Sequence, residues 1–207
     1  RALERFHTGA ELGAYLGADT LHLASYAPPV HYRRAKPYQL GREYRFVGET
    51  HLSLPRGFDW NRLWSVLVES SARCADIAAG HGRTVLMEPR VGEVVCSVDS
   101  LLRLIEHVGR PNFKANFDTG HFSAQRENVV LALAKLRGHF ANIHIADNDP
   151  AGAEHLPIGE GTIDWFEFLK VLKSMRYEGY LGLDLGNGRP LVEGYRSSLK
   201  RLRTMNL

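Results

Sequence analysis

The stretches Val85-Leu86-Met87-Glu88, Lys114-Ala115-Asn116-Phe117-Asp118, Ala141-Asn142-Ile143-His144 and Tyr180-Leu181-Gly182-Leu183-Asp184 decide how this chain folds. Each is short and mostly apolar, and each ends in a carboxylate or an imidazole. One amphipathic helical stretch separates each from the next. Strand-then-helix repetition implies parallel strands, whose C-terminal ends all point the same way. Three carboxylates and one imidazole should therefore meet on one rim of the sheet. Hard oxygen donors with one imidazole suit Mn²⁺, Mg²⁺, Co²⁺ or Zn²⁺.

The same alternation extends outward from these stretches. A helix over Leu3 to Leu16, ended by Gly17, leads into a further apolar strand, Thr20-Leu21-His22-Leu23-Ala24. Asp59 or Asn61 caps a long helix to Ala79, with Trp60, Leu63, Trp64, Leu67, Ser71 and Cys74 at helical spacing. Trp60 and Trp64 read as core. Ser97 or Asp99 caps the next helix, whose apolar face holds Leu101, Leu102, Leu104, Ile105 and Val108. Shorter helices are expected from Asn128 to Leu136 and from Asp164 through Phe166, Phe168, Leu169, Val171 and Leu172, and a last one near the C-terminus. The stretch from Ala27 to Phe58 differs: it carries Pro28, Pro29, Pro37 and Pro55 among aromatic and basic residues. It reads as a long loop with one short hairpin, and loops of that length inside a domain are usually functional.

Five β-α units form either an open doubly wound sheet or part of a (β/α) barrel. No G-x-G-x-x-G follows the first strand, which argues against a dinucleotide fold. The expected architecture is one α/β domain over residues 1–207, a partial TIM barrel. Eight strands close such a barrel. Three N-terminal units are then absent from this chain, which opens without Met, or the barrel is completed by a homo-oligomer or a partner chain.

Composition narrows the function classes. The 207 residues are 44% hydrophobic and 24% charged, ordinary globular usage, with a net charge of +3. No dense basic block indicates nucleic acid binding. No apolar run spans a bilayer. The two cysteines, Cys74 and Cys96, make no disulfide framework, so a reducing cytoplasm is the expected compartment.

At the rim, Glu88-Pro89-Arg90 places a carboxylate at a strand end; its bland alternative is a surface Glu paired with Arg90. In Asp118-Thr119-Gly120-His121, Gly120 lets the backbone approach closely, and His121 is either a ligand or a supporting histidine. By period two Asn142 and His144 share a face, and two inward polar positions are costly unless something uses them. His155 touches substrate, binds a second metal or sits in solvent. Gly159 and Gly161 around Glu160 suggest a tight turn. Asp184 ends the last strand; its bland alternative is a turn aspartate.

These residues resemble the xylose isomerase-like TIM-barrel superfamily, and most closely its sugar phosphate isomerase/epimerase branch. The resemblance rests on Met87-Glu88-Pro89, Phe117-Asp118-Thr119-Gly120-His121, Ile143-His144-Ile145-Ala146-Asp147 and Pro157 through Asp164, and covers about Ala10 to the C-terminus, the last five barrel strands. It implies one divalent metal, Mn²⁺ first, held by Glu88, Asp118, His144 and Asp184, with Glu88 and Asp184 also moving the substrate's proton. It places His121 and His155 on the substrate, and Asn142 and Arg90 complete the expected substrate contacts. The family carries Glu where this chain has Asp184, one methylene shorter, and a misplacement of about 1 Å can cost about 10²-fold in rate. The expected activity is a metal-dependent isomerase or epimerase acting on a keto-sugar or related polyol through an enediolate. A lyase or dehydratase on the same scaffold is the alternative, including cleavage of C-glycosides. An apurinic endonuclease, which needs about three metals, and a non-catalytic barrel rank below it.

Overall fold

The computed structural model describes residues 1–32, 52–149, 152, 154–186 and 190–205. Its elements are α1 (Ala2–Tyr15), β1 (Thr20–Ala24), β2 (His31–Tyr32), β3 (Leu52–Ser53), α2 (Trp60–Gly80), β4 (Thr84–Glu88), α3 (Val98–Val108), β5 (Phe113–Asp118), α4 (Thr119–Ala124), α5 (Val129–Lys135), β6 (Phe140–Ile145), α6 (Trp165–Ser174), β7 (Leu181–Leu183) and α7 (Leu191–Thr204). Five strands form one parallel sheet in the order β1-β4-β5-β6-β7. This is the expected partial barrel: sequential strands lie side by side, and β1 and β7 form the edges. The short hairpin foreseen in the long loop is β2–β3, antiparallel with His31 opposite Ser53. The rest of that loop, residues 33–51, lies outside the described residues.

Local chemistry explains the helix starts. Asp59 caps α2, accepting from the amides of Asn61 and Arg62. Ser97 and Ser100 form a capping box at α3, which ends on Gly109 in the left-handed region at φ 60°. Asn128 and Asp164 cap α5 and α6. The core lies between sheet and helices. Phe113, Phe117, Ile143 and Ile145 point from the strands onto Leu101, Leu104, Leu133 and Phe168, all fully buried. Burying one such side chain contributes about 1.5–3 kcal/mol.

Two expectations need correction, and one helix is new. Thr119–Ala124 forms a short helix that no periodicity in the sequence marks: Thr and Gly are poor helix formers, but the Asp118 side chain accepts from the His121 amide and starts the turn. Trp60 and Phe166 are 40% and 71% exposed, so they lie off the buried stripes of their helices, whereas Trp64 is buried. Tyr180 is also exposed and precedes β7.

Register brings the chemistry to one end. Asp118 lies opposite His144, and Ala24 opposite Glu88. Beyond the ladder, Thr119 ties β5 to β6: its hydroxyl donates to the Ala146 carbonyl at 2.7 Å and accepts from the Ala146 amide at 2.9 Å. The segment after β6 is held by Asp147. Its carboxylate accepts from the amides of Asn148 (2.9 Å), Gly159 (2.7 Å) and Ile163 (3.1 Å) and from the Trp165 indole (2.8 Å). The expected tight turn is there: Gly159 has φ +80°, and a Cβ on Gly161 would fall 2.3 Å from the Asn148 carbonyl.

Candidate metal and active site

Glu88, Asp118, His144 and Asp184 each offer a ligand atom, all within 4.8 Å of one another. The imidazole of His144 is the hub. Its Nδ1 lies 2.8 Å from Glu88, 3.7 Å from Asp118 and 3.6 Å from Asp184. Asp118 is fully buried; its Oδ1 accepts from the His121 amide, while Oδ2, aimed at the hub, has no hydrogen-bond partner among the described residues. A buried carboxylate oxygen without a partner is costly, and a cation shared with Glu88, His144 and Asp184 would satisfy it. The donor set of three carboxylates and one imidazole fits a hard or borderline divalent ion. Asp184, though one methylene shorter than Glu, reaches this set; its side chain is 49% exposed.

The remaining predicted residues surround this cluster. Arg90 does pair with Glu88, Nε to Oε2 at 3.4 Å, but Glu88 is itself buried and turns its other oxygen inward, so the surface-pair alternative does not describe it. His155 is buried, not in solvent. Its Nε2 lies 3.3 Å from Asp118 Oδ1, and its ring meets His121 edge-on at 4.6 Å. Gly120 makes that approach feasible: a Cβ there would fall 2.8 Å from His155 Nε2. Asp118, His121 and His155 thus form a second donor group that shares Asp118 with the first. Asn142 donates to the Asn116 carbonyl oxygen at 2.8 Å, one step back from the ligands.

Two neighbours escape a reading of the sequence. Asn116 is fully buried beside Glu88 and His144. Period two put it on the same face as Asp118, and that was the available signal. His22, on β1, stacks on His144 at 5.3 Å and joins Glu88 and His144 in a third donor group. Nothing in Thr20–Ala24 marks it, because the stack depends on β4 and β5 bringing β1 and β6 together.

Electrostatics concentrates positive charge on the hub. Burial alone would lower His144, but the carboxylates of Asp118 and Glu88 outweigh it and push the imidazole up to about 10. At 3.7 Å the Asp118 contribution is charge attraction, too long for a hydrogen bond. Burial would raise Glu88 and Asp118. The bond to His144 holds Glu88 below the usual range, and the attraction of His121 and His155 holds Asp118 well below it. In the metal-free chain the raised His144 contributes stability fully below its ordinary value of 6.5, and this is lost as pH rises through about 10. A metal ion must displace that proton. We expect about one proton released per Mn²⁺ bound, with apparent affinity rising about tenfold per pH unit between about 7 and 9. Free Mn²⁺ followed by electron paramagnetic resonance at several pH values checks this; an affinity flat with pH would remove His144 from the ligand set.

The family model described as the xylose isomerase-like TIM barrel matches residues 1–205. The chain belongs to this family. Among curated relatives of this barrel family, the L-ribulose-5-phosphate 3-epimerase UlaE of Salmonella typhi is 27% identical over 107 residues, 52% of this chain and 37% of UlaE. The 3-keto-D-glucoside 4-epimerase YcjR of E. coli superposes with a TM-score of 0.77 at 20% identity, over 98% of this chain and 70% of YcjR. The IOLI protein, solved with a bound zinc atom, superposes with a TM-score of 0.70 at 18% identity, over 98% of this chain and 68% of that one. Other solved members of the fold include sugar 3-epimerases and a probable dehydratase. The chain spans about half or less of the length of the curated relatives it matches. Among the described residues, no helix is long and apolar enough to cross a membrane.

Proposed function

We propose that this xylose isomerase-like barrel is a divalent-metal-dependent isomerase or epimerase acting on a keto-sugar or related polyol. The observation that carries the reading is the convergence of Glu88, Asp118, His144 and Asp184 around the unpartnered Asp118 oxygen. When bound, a divalent cation would polarise the substrate carbonyl and offset the negative charge that develops on its oxygen. Glu88 takes the proton from the carbon beside that carbonyl, giving an enediolate, and Asp184 or a water returns a proton. His121 and His155 line the adjoining wall and hold substrate hydroxyls, with Arg90 at the outer edge. We place the protein in a reducing cytoplasm, consistent with free Cys74 and Cys96.

Asp184 favours a second reading. Its shorter, half-exposed carboxylate reaches the metal donors and is less suited than Glu to reach a substrate carbon as well. With Glu88 as the sole base, proton removal followed by loss of a β-substituent makes the chain a lyase.

One experiment separates these. Purified protein is analysed for metal, wild type beside Asp118→Ala and His144→Ala, and then incubated with Mn²⁺ and a panel of keto-sugars in D₂O. The expected result is about one ion per chain in the wild type, lost in both variants, with deuterium entering beside the carbonyl. Deuterium in a recovered sugar or its epimer supports the first reading; an unsaturated product supports the lyase. A wild type that takes up no metal would sink both.

A further inference from the structure

We infer that Asn142 and Asn116 form a one-way positioning relay beneath the rim, which sets the orientation of Glu88; the inference rests on the metal reading above. The geometry is a continuous chain. The Asn142 amide donates to Asn116 Oδ1 at 2.8 Å, and Asn116 Nδ2 lies 2.7 Å from Glu88 Oε1 and 3.0 Å from His144 Nδ1.

Sheet register makes the chain. Asn116 lies opposite Asn142, and continuing the Met87–Ala115 register by one residue brings Glu88 beside Asn116. Three inward-facing polar side chains therefore cross three adjacent strands side by side.

Hydrogen-bond chemistry gives the relay its direction. An ionised carboxylate only accepts, so Asn116 must present its NH₂ to Glu88. Its carbonyl oxygen then faces Asn142, which must in turn present its own NH₂. A flip of either amide would set two acceptors against each other inside the protein. Asn116 is fully buried, so no solvent offers it another partner. With Asn116 holding Oε1 and Arg90 facing Oε2 at 3.4 Å, the plane of the Glu88 carboxylate is constrained on both sides. Such supporting partners orient a ligand, and their loss typically costs 10–100-fold in metal affinity or activity. Asn142 donates to Asn116 and through it acts on Glu88, so it is a positioning residue.

The test is Mn²⁺ affinity of the full chain carrying Asn116→Leu, Asn142→Leu or both, with the fold checked by circular dichroism. Asn116→Leu should weaken binding about 10–100-fold, and Asn142→Leu by less. The double variant should match Asn116→Leu alone, because the second change removes a partner already lost. Wild-type affinity in Asn116→Leu, or losses that multiply in the double variant, overturns the relay. If the wild type takes up no Mn²⁺, the metal reading fails separately. The relay is then read, as it is if Asn116→Leu does not fold, from the nuclear magnetic resonance signals of the Asn116 side-chain amide in metal-free protein. Signals that shift with Asn142→Leu and with Glu88→Gln support it; unmoved signals overturn it.

Discussion

Glu88→Gln is expected, on the isomerase reading proposed above, to lower turnover of a keto-sugar by about 10²–10⁴-fold, the usual contribution of a positioned general base. That loss corresponds to about 3–5 kcal/mol of barrier. The substitution is nearly isosteric. A glutamine oxygen can still accept from Asn116, so the carboxylate's place at the end of β4 is kept while its basicity is lost. It also removes one negative charge from the donor set, so kcat must be compared at saturating Mn²⁺, with affinity measured separately. A variant with wild-type kcat at saturating metal would move the base to another residue, Asp184 being next in line. A fall in affinity with unchanged kcat would make Glu88 a ligand only.

Asp147→Ala should destabilise the fold by about 3–5 kcal/mol. The carboxylate is fully buried and accepts from three backbone amides and the Trp165 indole, at 2.7 to 3.1 Å. Truncation leaves these donors buried without partners, and each orphaned group costs about 1–3 kcal/mol. The upper end of that sum is not reached, because the loop can relax and admit water. Measured against a total stability of about 5–15 kcal/mol, the loss is a large fraction. It would lower the melting temperature by roughly 10 °C for a chain of this size. Urea unfolding followed by far-ultraviolet circular dichroism checks it, and a change under about 1 kcal/mol would refute the account. The consequence for the site is selective. Asp147 organises the segment that carries His155, whereas Glu88, Asp118, His144 and Asp184 stand on or next to sheet strands. On the proposed reading, folded Asp147→Ala should therefore still take up Mn²⁺ like the wild type while losing affinity for a keto-sugar.

Much of this was written locally in the chain. The period of the apolar residues marked each strand and helix. Ser97, Asn128 and Asp164 announced helix starts, because a short polar side chain there satisfies amides that the helix leaves bare. Strand ends carrying Glu88, Asp118 and His144 announced a shared rim, because parallel strands in right-handed units share a direction. What was not local was not readable. Thr119–Ala124 forms a helix against its propensity because Asp118 caps it and the fold buries it. Trp60 and Phe166 fit an apolar pattern, yet packing left them outside it.

The same division runs through the site. One chain's residue types and their order settled the alternation of strand and helix, the side of the sheet on which the donors gather, and the chemical class of ion they suit. Contacts between strands distant in sequence settled the rest: that Asn116 faces Glu88, that Asn142 stands behind Asn116, that His22 stacks on His144, and that His155 meets His121 over Gly120. The physical reason is range. Periodicity and capping act over a turn or a strand, whereas hydrogen bonds between side chains 26 or 28 residues apart exist only once the sheet register has been chosen.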